Sequence, residues 1–124
     1  MNKSEQEIVL KGGRSTEVVV RVGKTVRRSQ RDIAKFIHTL LQHLEQVQYN
    51  YAPKFLGVDE KGREILSYIE GEVPRGMAFT INQLTVCTKM LRAFHDAAAL
   101  SDLCGSHETI CHNDFAPWLS LIHI

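Results

Sequence analysis

The segment Glu17-Val18-Val19-Val20-Arg21-Val22 constrains the fold more than any other part of the chain. β-Branched side chains are restricted at χ1 and pack well on a pleated surface, so such a run favours a strand. Gly23-Lys24 interrupts it, and Thr25-Val26-Arg27-Arg28-Ser29 resumes the pattern. A Gly-X pair between two such runs is the signature of a two-residue hairpin. Glu7 to Lys11 reads as a further short strand ending at Gly12-Gly13, so the first third is expected to form antiparallel strands.

A helix is expected next. Ser29 with Asp32 gives a capping-box-like start, and Ile33, Phe36, Ile37, Leu40, Leu41, Leu44 and Val47 recur at helical spacing up to Asn50 and Pro53. A second hairpin follows, Lys54–Val58 and Arg63–Ile69, turning through Asp59-Glu60-Lys61-Gly62. Residues 70–76 break the pattern as a linker. Thr80 with Gln83 then makes a capping box for a long helix whose apolar face is Leu84, Cys87, Leu91, Phe94 and Ala98. This order predicts an α+β fold: antiparallel strands with one helix, then a helical unit. The expected divisions are 1–70, 71–118 and 119–124.

Composition narrows the class. With 124 residues the chain suits one small domain or a piece of a larger one, and 44% apolar content supplies a modest core. Fifteen Lys and Arg against fourteen Asp and Glu leave a net charge of +1, without the basic excess of a nucleic-acid binder. No apolar run reaches the roughly 18–20 residues of a membrane-spanning helix, and the N-terminus lacks a signal-peptide core. Cys87, Cys104 and Cys111 form an odd set without tight pairing, which fits reduced thiols and a cytoplasmic location.

The most pointed chemical feature is His112-Asn113-Asp114 in a polar loop after the long helix. An Asp there can act as a base braced by a neighbouring His; equally, it can cap a turn beside a structural His. Taken with the order of elements, the segment His112–Trp118 resembles the catalytic loop of the aminoglycoside phosphotransferase and choline-kinase-like family, and the resemblance runs from about Glu7 to Trp118. It implies a protein-kinase-like fold, an N-terminal antiparallel five-stranded sheet with one helix plus the beginning of a helical C-terminal lobe, and transfer of the γ-phosphoryl group of ATP or GTP to a hydroxyl of a small molecule, such as an aminoglycoside, choline or a sugar. Mg2+ would assist in the intact parent.

Carried over to this sequence, the resemblance makes Asp114 the base and His112 its brace. Arg28, third in Val26-Arg27-Arg28, would hold the nucleotide phosphates. Strand alternation places Val26 and Arg28 on one face and Arg27 on the other; a solvated basic patch of Lys24, Arg27, Arg28 and Arg31 is the alternative. Ser15 and Thr16 in the first turn are expected to cover the phosphates or to form an ordinary hairpin turn. Ser67 and Ile69 would meet the adenine edge through their backbone groups. The helix Glu that pairs with the basic residue in that family has no counterpart here, and His38 stands on the corresponding turn.

The pattern fails at Leu119, where a metal-binding Asn is expected, so no metal ligand is assigned. Leu119-Ser120-Leu121-Ile122-His123-Ile124 is also what a transposase mosaic-end sequencing adapter encodes, so residues 119–124 are expected to be a non-native tail. The chain itself is then expected to be an inactive fragment, with an apolar face left open on its long helix. Two other readings compete. One is a nucleotide-binding pseudoenzyme or regulatory partner. The other is a small metal module using His107, Cys111, His112 and Asp114.

Overall fold

Two tight turns organise the sheet. The computed structural model describes residues 6–10, 18–71 and 79–110. Within them run β1 (Glu7–Leu10), β2 (Val19–Val22), β3 (Thr25–Ser29), α1 (Ala34–Gln46), β4 (Phe55–Val58), β5 (Arg63–Ser67) and α2 (Ile81–Ala99), followed by a single 3-10 turn at Asp102–Cys104. The fold is α+β, with one five-stranded antiparallel sheet in the order β1-β2-β3-β5-β4 and two helices.

Val22 pairs with Thr25 across Gly23-Lys24, and Gly23 has φ 58°. A positive φ at the first turn residue alone matches a type II′ turn, which only glycine enters without strain. The second hairpin closes through Asp59–Gly62. Gly62 N–H donates to the Asp59 carbonyl at 3.0 Å, and the Asp59 side chain accepts from the Lys61 and Arg63 N–H groups at 2.9 Å each. In β4, a register shift between Phe55 and Gly57 leaves Leu56 unmatched, a bulge on the outer strand.

The chain divides into two compact units, residues 1–42 with 53–68 and residues 43–52 with 69–124. In the first, residues directly opposite across the ladder share a face. Val26 faces Leu66 and Arg28 faces Glu64, whereas Arg27 lies opposite Ile65 and Val20 on the other side. Val20, Val22, Ala34, Leu40, Leu41 and Leu66 are its buried apolar residues. In the second unit Leu44, Phe94, Ala98 and Cys104 are buried. The Tyr49 hydroxyl donates to the Met90 carbonyl at 3.0 Å and its ring meets Phe94 edge-on, while His43 Nε2–H donates to the Ala97 carbonyl at 2.8 Å.

The first helix departs from its expected limits. Ser29 stays in the sheet opposite Arg63, so it cannot cap α1, which starts at Ala34 after a turn at residues 32–33. The helix then stops four residues short of Asn50. Gln48 takes φ 62°, its N–H reaches the Glu45 carbonyl, and the Tyr49 N–H reaches Leu44, the paired bonds of a Schellman end. Ile33 lies outside the helix and is 61% exposed, so it drops from the expected apolar face. The Thr80–Gln83 capping box of α2 is present in both directions. On α2, however, only Phe94 and Ala98 are buried, and Ile81, Leu84 and Val86 are exposed. Among the described residues no helix is long and apolar enough to cross a membrane.

Candidate functional site

Glu64 is the one buried charged residue among the described residues. It sits on β5 between Arg28 of β3 and His38 of α1. Its Oε1 accepts from Arg28 Nε, and its Oε2 accepts from His38 Nε2–H at 2.6 Å. The His38 ring in turn stacks on Phe55, with centroids 3.9 Å apart and planes 15° from parallel. Burial pushes the Glu64 carboxyl up, but the hydrogen bonds and charges of Arg28 and His38 outweigh it and hold the group below the usual carboxylate range. Both oxygens are engaged, so this carboxylate orients a guanidinium and an imidazole rather than abstracting a proton. The Arg28 side chain remains 40% exposed.

The opposite face of the sheet carries a second charged cluster. Asp59 Oδ2 accepts from Arg63 Nε at 2.9 Å and more distantly from Arg27 Nη1 at 3.4 Å. Arg63 Nη2 also donates to Glu7 Oε1 at 2.6 Å, with Lys61 Nζ 3.5 Å from the same oxygen. Desolvation raises the Asp59 carboxyl, yet the Arg63 and Lys61 donors dominate and bring it down to about 2. The Arg63 contact likewise lowers Glu7. This network ties β1, β3 and the β4–β5 turn together.

The expected site residues fall out as follows. Arg28 stands on the α1 side of the sheet, on the face opposite Arg27 as strand alternation predicts, and its partner is Glu64. His38 reaches that same Glu64 and not Arg28. Arg27 belongs to the opposite cluster, so the basic patch is divided by the sheet. Ser67 ends β5, with its N–H on the Lys54 carbonyl and its Oγ accepting from the Lys54 N–H at 2.8 Å. Ile69 lies beyond the strand, which is two residues shorter than expected, and is 40% exposed. Ser15, Thr16, His112 and Asp114 lie outside the described residues. Sequence reasoning missed Glu64 because it sought an acid on the helix. The available signal was Glu64 sharing strand parity with Leu66, an acid on the buried side of β5.

No family model matches the chain, and no solved structure matches it. It is similar to a curated protein, the trifolitoxin immunity protein of Rhizobium leguminosarum bv. trifolii, with 39% identity over 95 residues. The match covers 75% of this chain and 36% of that protein, so the chain spans about a third of its relative's length. This finding corrects the sequence reading. The resemblance to the aminoglycoside phosphotransferase and choline-kinase-like family does not hold, and neither do the kinase and ATP-binding assignments drawn from it. The relative is named for immunity, not for phosphoryl transfer. Two features had carried the resemblance. An order of strands and helices specifies architecture and not chemistry, and a His-x-Asp triplet is too short to specify a reaction.

Proposed function

We propose that this chain is part of a toxin-immunity protein that protects its host by binding the toxin without altering it chemically. The observation that carries the reading is the 39% identity over 95 residues to the trifolitoxin immunity protein. Support for binding comes from the Arg28–Glu64–His38 cluster. A guanidinium that is partly exposed and held from behind by a buried carboxylate is pre-oriented to meet an oxygen-bearing group on a partner. The free thiols of Cys87 and Cys104 support the cytoplasm as its compartment. A protein-kinase-like architecture, without that family's chemistry, is our reading of the fold, supported by the insertion of α1 between β3 and β4 beside a five-stranded sheet.

Expression of the complete reading frame in a trifolitoxin-sensitive Rhizobium strain tests the proposal. Growth inside the inhibition zone is the expected result. Sensitivity equal to the empty-vector strain, with the protein present on an immunoblot, overturns it.

A further inference from the structure

On the face of the sheet away from α1 lies a hollow of about 590 Å³, within the range of small-molecule sites. Its apolar lining is Val22, Val58 and Ile65. Arg27, Lys61 and Arg63 supply cations to it, and two of these are already matched: Arg63 by Asp59 and Glu7, Lys61 by Glu7. Arg27 is not matched to the same degree. Among the described residues its one side-chain ion pair is the 3.4 Å contact of Nη1 with an Asp59 oxygen that Arg63 holds at 2.9 Å. Among the described residues its Nε is buried without a hydrogen-bond partner. A buried guanidinium N–H left unpaired is costly, and native structures usually supply an acceptor.

We propose that this hollow binds a small carboxylic acid with an apolar body, the carboxylate taken by Arg27 and the body laid on Val22 and Ile65. A carboxylate accepts from Nε and the adjacent Nη together in the side-on, two-bond arrangement that a guanidinium favours. To accept it, the Arg27 side chain turns away from Asp59 and gives up only the long contact. Three acidic residues, Glu7, Asp59 and Glu60, also line the hollow; Glu7 and Asp59 are engaged by Lys61 and Arg63, which leaves Glu60 to oppose such a ligand. The inference stands apart from the immunity reading, since neither Arg28 nor the α1 face takes part.

The test titrates hexanoate, and separately its neutral isostere hexanamide, into the 15N-labelled full chain while following arginine Nε–H and backbone amide resonances. A saturable shift of the Arg27 Nε–H with hexanoate, and binding at least about fivefold weaker with hexanamide, is expected. Arg27→Gln should weaken hexanoate about tenfold, and Glu60→Gln should tighten it about twofold by removing a like charge. Arg92→Gln, in the other unit, should change nothing. Should Arg27→Gln lose its dispersed spectrum, Arg27→Lys replaces it, with an expected loss of several-fold because a lysine cannot offer two parallel donors. Equal response to acid and amide, no saturable response, or undiminished binding in the folded Arg27 variant overturns the proposal.

Discussion

Glu64 decides the polar packing of the first unit, because two cationic or donor groups converge on one buried carboxylate. Glu64→Gln keeps the shape but removes the charge that Arg28 faces, and one amide cannot accept from both donors on two oxygens. A loss of about 2 kcal/mol is expected, read as a lower midpoint in urea denaturation; an unchanged midpoint would show that the cluster contributes nothing to folding. Acid should act on the same groups. Asp59 at about 2 and Glu64 below its ordinary range release protons more readily when folded than when unfolded. The unfolded chain therefore binds more protons as pH falls, so the stability these groups add is complete at neutral pH and is lost as pH drops from about 5 toward 2. Melting temperatures measured across that window should fall, and Asp59→Asn should flatten the slope. At this scale the sequence was only half legible. Alternation placed Arg28 and Arg27 on opposite faces, but partner choice depends on the β3–β5 register, which pairs Arg28 with Glu64 thirty-six residues away. No local pattern encodes that.

The elements were read most securely where short-range chemistry alone defines them. The Gly23-Lys24 hairpin and the Thr80–Gln83 box depend on residues within one turn, and both are present. The limits of α1 were misread at both ends for reasons outside the local pattern: the sheet claims Ser29, and a left-handed Gln48 stops the helix before Asn50. Paired substitutions separate the two helix ends. Thr80→Ala should cost about 1 kcal/mol by leaving the Gln83 N–H without its acceptor. Gln48→Gly should add up to about 1 kcal/mol by removing the strain of a side chain in the left-handed region. Thermal melts of both variants check these signs; a destabilised Gln48→Gly chain would mean that the Gln48 side chain makes a compensating contact.

For the whole molecule, the sequence conveyed architecture better than purpose. The antiparallel α+β arrangement follows from β-branched runs, turn glycines and helical periodicity, and the structure has it. Function was inferred from the triplet His112-Asn113-Asp114 and from the order of elements, and similarity to an immunity protein overturned that inference. The residues on which a binding role rests, Arg28 and the buried Glu64 behind it, become evident only once the strands are paired. The central claim is that the protein recognises a toxin and leaves it intact. Its most direct test is an equilibrium titration of purified trifolitoxin into the purified protein, with the toxin recovered afterwards and weighed by mass spectrometry. Saturable binding that Arg28→Ala weakens, with toxin of unchanged mass, is the predicted result. No binding by a folded sample, or recovered toxin of altered mass, would contradict it.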